Sequence, residues 1–247
     1  MRYLVLTDIH ANLEALDACL DDAATRGYDR TLVLGDLVGY GGDPNAVIER
    51  VRELDPVAIV RGNHDKVACG LEQADGFNVV AKNAARWTAE VLSEEHRAWL
   101  AALPHGPISV DELVEICHGS PFDEDAYVFD ELDAARALKT SSLPLCLFGH
   151  THCPAVFELS PEGLDTARPA ASDPTQIGLA PGSKYLINPG AVGQPRDGDP
   201  RAAYAIVEET ARRVELYRIE YNVEAAQMQI VKAGLPEVLA QRLRLGR

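Results

Sequence analysis

The sequence predicts an α/β protein in which two β-sheets pack as a sandwich flanked by helices. Three observations carry that expectation. Apolar strand-like runs alternate with helical segments through the first 60 residues, three further strand-like runs crowd between 185 and 219, and the segments between and after them read as helices. At 247 residues the length alone does not decide between one domain and two, given a prior of about 150 residues per domain. The uninterrupted alternation and the absence of an internal repeat favour one domain spanning 1–247.

The opening alternation is Tyr3 to Leu6, a helix from Leu13 to about Arg26, Thr31 to Leu34, a second helix, and Val57 to Val60. Gly27 is a natural stop for the first helix. Asp43-Pro44 supplies the second with an N-cap and a proline in its first turn, and Ala46, Val47, Ile48, Val51 and Leu54 form its apolar face. A βαβαβ unit of this kind makes the first three strands parallel. Two helices follow, Asn78 to Leu92 and Ser93 to Leu103, and 77–103 is either a helical cap beside the site or a cover for a sheet face. Ile108 to Val110 and Leu113 to Cys117 read as a hairpin around Asp111-Glu112. Asp130 to Lys139 is a short helix, and Leu145 to Phe148 and Ala155 to Leu159 are strands. Pro, Gly, Ala and Asp dominate 160–183, which reads as a surface loop or insertion. Tyr185 to Ile187, Ala203 to Val207 and Arg213 to Ile219 are expected in a second sheet, and Val223 to about Leu245 is a helical tail interrupted near Gly234 to Pro236.

Composition excludes several classes. Hydrophobic residues at 47% and charged residues at 25% suit a water-soluble globular chain. No apolar run approaches the ~18 residues of a membrane helix, and the N-terminus lacks the pattern of a signal peptide, so a cytoplasmic protein without membrane partners is expected. The cysteines, Cys19, Cys69, Cys117, Cys146 and Cys153, are odd in number and form no CxxC pair, and are expected as reduced, small core side chains. A net charge of -15 repels long nucleic acid and leaves a small phosphorylated molecule as the better partner. His96 in a helix and His105 beside a proline read as structural, as do Trp87 and Trp99 on apolar helix faces. The sequence says nothing of oligomeric state.

Chemistry-bearing residues fall at the ends of the expected strands. Asp8 and His10 follow the first strand, Asp36 the second after Gly35, Asn63 and His64 the third after Gly62, and His150 and His152 the strand that ends at Phe148; Cys117-His118 closes another. If these segments are extended, residues i and i+2 project to one side, and four strands deliver side chains to one rim. Each element alone has an ordinary structural reading as a cap or a turn. Together they form a mixed imidazole, carboxylate and amide set, which suits Mn²⁺, Fe²⁺, Co²⁺, Ni²⁺ or Zn²⁺ rather than Mg²⁺ or Ca²⁺. A carboxylate can bridge two such ions about 3.5 to 4 Å apart.

The ordered blocks D-x-H, G-D, G-N-H-D, H and G-H-x-H over residues 8–152 resemble the calcineurin-like metallophosphoesterase superfamily, and Asn188 to Arg196 (NPGAVGQPR) is similar to the C-terminal motif of its small bacterial phosphodiesterase-like branch. The resemblance implies a four-layer fold and two divalent metal ions, with Mn²⁺ foremost. It implies one ion on Asp8, His10, Asp36 and His152, and the other on Asp36, Asn63, His118 and His150. It further implies attack on phosphorus by a metal-bridging hydroxide, with Asp36 as the bridge and His64 as the catalytic residue that protonates the leaving oxygen or stabilises the transition state.

Protein phosphatases of this superfamily read GDxVDRG at the second block, whereas this chain reads Gly35-Asp36-Leu37-Val38-Gly39-Tyr40-Gly41. Gly39 replaces the orienting Asp and Tyr40 the phosphate-gripping Arg. That departure favours small phosphodiesters or phosphoanhydrides of nucleotide type over a phosphomonoesterase or protein phosphatase. Asp65 is a substitute candidate for orienting His64. Arg196 is the candidate for gripping phosphate, unless it pairs with Asp197 or Asp199 on the surface. A non-catalytic scaffold of the same fold is the competing reading, weakened by the intact His64, and a nuclease is disfavoured by charge.

Overall fold

A computed structural model describes residues 1–167 and 174–247. β1 (Arg2–Leu6), β2 (Arg30–Val33) and β3 (Ala58–Ile59) run parallel and are joined by α1 (Leu13–Arg26) and α2 (Pro44–Glu53). The Asn12 side chain accepts from the Ala15 N–H to start α1, and Gly27 ends it. Pro44 opens α2, whose N-cap Asp43 makes no side-chain cap bond. β3 leads straight into α3 (Asn63–Cys69), a short helix where the sequence suggests only a turn.

α4 (Val79–Val91) and α5 (Glu94–Ala101) begin at the side-chain caps Asn78 and Ser93. β4 (Ile108–Ser109) and β5 (Val114–Ile116) form the expected hairpin, its turn held by Asp111 Oδ1 accepting from the Leu113 and Val114 N–H groups at 2.7 and 2.8 Å. α6 (Glu131–Thr140), β6 (Leu145–Leu147) and β7 (Ala155–Ser160) follow, then β8 (Gly163–Ala167), β9 (Thr175–Gly178), β10 (Lys184–Asn188), β11 (Ala202–Glu208), β12 (Arg213–Ile219), α7 (Val223–Lys232) and α8 (Glu237–Leu245).

One sheet has the order β3-β2-β1-β11-β12-β9 and the other β4-β5-β6-β10-β7-β8. Two expectations are corrected here. β10 does not share a sheet with β11 and β12: it lies between β6 and β7, while β11 pairs antiparallel with β1. The 160–183 segment is not simply a loop, because β8 hairpins onto β7 and β9 pairs with β12; residues 168–173 lie outside the described part. The segment thus supplies an edge strand to each sheet.

The sheets face each other across one apolar layer. Strand alternation sorts the side chains: Tyr3 and Val5 of β1 meet Val114, Ile116, Leu145, Leu147, Tyr185 and Ile187 of the opposite sheet, while Leu4 and Leu6 turn outward to Leu16, Cys19 and Leu20 of α1. On the other outer face Cys117, Cys146, Phe157 and Leu186 pack under Ala134, Ala137 and Leu138 of α6. The result is four layers, helix on sheet on sheet on helix. Leu92, Leu100 and Leu103 join the core beneath the first sheet, and Trp99 packs against it. α4, α7 and α8 share a separate cluster that includes Tyr40 and Trp87. No described helix is long and apolar enough to cross a membrane.

Candidate metal centre

The strands end one residue or more before the chemistry begins. β1 stops at Leu6, and Asp8, His10, Asp36, His150 and His152 all adopt left-handed backbone, with φ between 50° and 67°. The expected common strand face is therefore not the cause of their convergence. Each DxH or HxH pair sits on a kinked turn beyond a strand, a conformation L residues hold only where surrounding contacts fix it. Those contacts come largely from residues 188–196. Val192 N–H and Gly193 N–H donate to the carbonyls of Thr7 and Asp8 at 3.0 and 2.9 Å, and Asn188 Nδ2 donates to Gly149 O at 2.7 Å. Arg196 N–H reaches His152 O at 3.2 Å, so one segment clamps both turns.

Two side-chain groups converge, Asp8 with His10, Asp36 and His152, and Asp36 with His118 and His150. All are buried. Asp36 belongs to both, its Oδ2 lying 3.4 Å from His10 Nε2 and 3.5 Å from His118 Nε2. Asn63 Oδ1 is 3.3 Å from His118 Nε2. Every expected ligand is thus at this centre, the strand ends after β5 and β6 bringing His118, His150 and His152 from the opposite sheet.

The ring nitrogens are oriented by the backbone. His10, His118 and His152 each place Nδ1 against a backbone carbonyl, Val38 O at 3.1 Å, Leu34 O at 2.8 Å and Gln194 O at 2.6 Å, while His150 places Nε2 against Asp125 O at 3.1 Å. A carbonyl only accepts, so the facing nitrogen carries the hydrogen. For His10, His150 and His152 the opposite nitrogen is then a bare lone pair aimed inward, whereas His118 Nε2 faces Asp36 Oδ2 at 3.5 Å. His10 Nε2 and His152 Nε2 lie 3.1 Å apart, two lone pairs facing each other beside two carboxylates. Such an arrangement requires cations, and carbonyl-anchored imidazoles are how proteins orient them for divalent metals. The donor set fits two ions.

The electrostatics agree. Burial depresses His10 and His152 well below the ordinary imidazole range and His150 to about 3, favouring the neutral ligand form. At His118 burial also opposes charge, but the Asp36 and Asp8 carboxylates outweigh it and push the group up to about 10. Burial acts to raise Asp36, yet the imidazoles of His118 and His64 hold it well below the carboxylate range. Burial raises Asp8 to about 7, with His118 acting against it and the Asp36 carboxylate adding to it.

His64 differs from the other four. Its Nδ1 is buried without a hydrogen-bond partner, and the ring is held by stacking on Tyr40 at 4.4 Å and Phe77 at 4.5 Å. The His64 backbone N–H donates to Asp36 Oδ1 at 2.9 Å. Asp65 does not orient it: the carboxylate accepts from Leu37, Val38 and Gly62 N–H groups and locks α3 to the Asp36 loop. Nor can residue 39, since a Cβ built on Gly39 would meet His64 Nδ1 at 2.5 Å. Gly62 is equally constrained, its Cβ position lying 2.1 Å from Asp36 Oδ1. Burial lowers His64 to about 4.

Arg196 pairs with neither Asp197 nor Asp199, which bind Arg218 and Arg201. It donates to Gln194 Oε1 at 3.0 Å and its guanidinium stands 5.5 Å from the Tyr40 ring. Tyr127, unremarked in the sequence, stacks on His150 at 3.9 Å. His96 contacts Asn45 at 2.8 Å as a packing residue.

Residues 1–212 match the family model for the calcineurin-like phosphoesterase superfamily domain. An uncharacterized protein of Methanocaldococcus jannaschii is 38% identical over 248 residues, covering 98% of this chain and 97% of its own. A crystal structure of a metallophosphoesterase from Sphaerobacter thermophilus is 41% identical with a TM-score of 0.88, over 100% of this chain and 99% of that one. A hypothetical protein from Pyrococcus horikoshii shares the fold at a TM-score of 0.78 and 21% identity, over 100% and 98%.

Proposed function

The chain belongs to the calcineurin-like phosphoesterase superfamily, and from that premise we propose that it hydrolyses small phosphodiesters or phosphoanhydrides of nucleotide type with two divalent metal ions. The observation that carries the reading is the convergence of inward lone pairs in two groups that share Asp36. One ion would be held by Asp8, His10, Asp36 and His152, the other by Asp36, Asn63, His118 and His150. When bound, such a pair activates water and offsets charge on the phosphoryl oxygens, and Mn²⁺ suits the mixed donor set.

The chain's own residues do the rest. Carbonyls of Leu34, Val38, Gln194 and Asp125 fix the imidazoles, so little reorganisation accompanies reaction. His64, held by Tyr40 and Phe77 against the Asp36 turn, is the group positioned to donate a hydrogen bond to the departing oxygen through the one N–H its neutral ring keeps. With Tyr40 where protein phosphatases carry Arg, a dianionic monoester loses one grip, which favours diesters.

Purified protein with added Mn²⁺ is expected to hydrolyse bis(p-nitrophenyl) phosphate faster than p-nitrophenyl phosphate. Asp36→Asn and His64→Ala should each lower kcat by at least about a hundredfold, in line with loss of acid–base assistance. Two bound metals without turnover of any phosphoester would refute the reading.

A further inference from the structure

In a chain of net charge -15, one cavity of about 480 Å³ has three arginines among its lining residues, Arg196, Arg242 and Arg247, with Tyr40, Asn78 and Gln241. Among the described residues none of the three makes an ion pair. The acids next to Arg196 in sequence are taken, Asp197 by Arg218 and Asp199 by Arg201. Elsewhere arginines do find carboxylates, as Arg26 with Asp22, Arg61 with Glu124 and Arg213 with Glu208. Arginines gathered around one cavity have a multivalent oxyanion as their natural complement.

The cavity shares a wall with the metal centre. The Tyr40 ring lies 4.8 Å from that of His10 and 4.4 Å from that of His64, and Arg196 stands 5.5 Å from the same ring. Arg242 and Arg247 come from the chain end, beyond the residues 1–212 that match the family model. That end is fixed in place: Gly198 N–H donates to Gly246 O at 3.0 Å, Arg247 N–H to Arg242 O at 3.2 Å, and Gly246 takes a left-handed turn against the Asp199 backbone. Position 40 carries no phosphate-gripping guanidinium, but three arginines share a cavity with the tyrosine that stands there.

We propose that Arg196, Arg242 and Arg247 bind a second phosphate group on the substrate, one that is not cleaved. The preferred substrate is therefore a small phosphoester or phosphoanhydride bearing at least one further phosphate within a nucleoside's length of the scissile one. This rests on the phosphoesterase reading and adds a specificity site to it.

A matched pair tests it: the p-nitrophenyl ester of thymidine 5′-monophosphate, and the same ester carrying a 3′-phosphate. The wild-type protein with Mn²⁺ should show kcat/KM at least about tenfold higher for the doubly phosphorylated ester, the gain of one charge-assisted contact. Arg242→Ala should lower that ratio about tenfold and Arg242→Lys by less, with melting curves verifying the fold. A wild-type ratio near one, unchanged in Arg242→Ala, overturns the proposal and leaves the phosphoesterase reading standing. If neither ester turns over, calorimetric titration decides. Thymidine 3′,5′-bisphosphate should bind at least about tenfold tighter than thymidine 5′-monophosphate to wild type but not to Arg242→Ala, and equal affinities reject the second site.

Discussion

His64 is buried with an unpartnered Nδ1 because its surroundings are rings and a glycine rather than a carboxylate. Its orientation therefore depends on shape. Adding one methyl in Gly39→Ala intrudes to 2.5 Å on Nδ1 at a residue with φ of 93°, so the ring must move or the turn must open. We expect kcat on bis(p-nitrophenyl) phosphate to fall by at least about tenfold, and unfolding in urea to show a loss of about 1–2 kcal/mol from the strained backbone. Unchanged kcat would mean that His64 is not held by fit. At this scale the sequence was informative about side chains and silent about main chain. Asp8, His10, Asp36, Asn63, His118, His150 and His152 could be picked out by type and order, and the structure brings them together. The carbonyls that set the imidazole hydrogens have no residue signature, and neither does the left-handed backbone that aims Asp8 and His10, so the sequence-based geometric reason was the wrong one.

Among elements, α3 carries the most consequence for the site relative to its seven residues. Lys66 on α3 reaches Asp125 Oδ2 at 2.5 Å and Glu124 at 3.3 Å, and Arg61 just before it forks onto Glu124 with two contacts of 3.0 Å. These pairs pin the loop whose Asp125 carbonyl orients His150. Lys66→Met keeps much of the buried stem but frees the loop and leaves two acids facing each other. Mn²⁺ affinity measured by calorimetry should drop about 10- to 100-fold, the usual effect of losing an outer partner of a metal-binding imidazole. Unaltered affinity would show that His150 is fixed by other means. α3 escaped the sequence reading because Gly62-Asn63-His64-Asp65 is turn-like and the helix is too short for an apolar period to show. The βαβαβ unit, the hairpin at Asp111 and the capped helices were legible since each is specified locally. Which sheet receives β10 is decided by its neighbours β6 and β7, a long-range choice that no local pattern encodes.

The whole molecule places its site on the seam of the sandwich. Asp8, His10, Asp36 and Asn63 follow strands of one sheet, while His118, His150 and His152 follow strands of the other. Ions bound there would tie the two sheets together and stabilise the native state by mass action. At Mn²⁺ one hundred times its Kd, about 2.7 kcal/mol per site is available, which for a chain of this size raises the melting temperature by about 5–10 °C. The metal must displace the proton that Asp36 and Asp8 hold on His118, whose pKa is pushed up to about 10. The increment should therefore grow between pH 6 and 9, and calorimetric scans with Mn²⁺ or chelator measure it; identical scans would show that no metal reaches the seam.

The margins of the sandwich have a consequence of another kind. On one side the sheets finish on β3 and β4, only two residues each, and on the other on β9, of four residues, and β8, Gly-Leu-Asp-Thr-Ala, which is mostly exposed and carries the charge of Asp165. Edge strands that brief, or interrupted by a charge, give an approaching chain little unsatisfied backbone to extend, so the twelve strands among the described residues offer little template for aggregation.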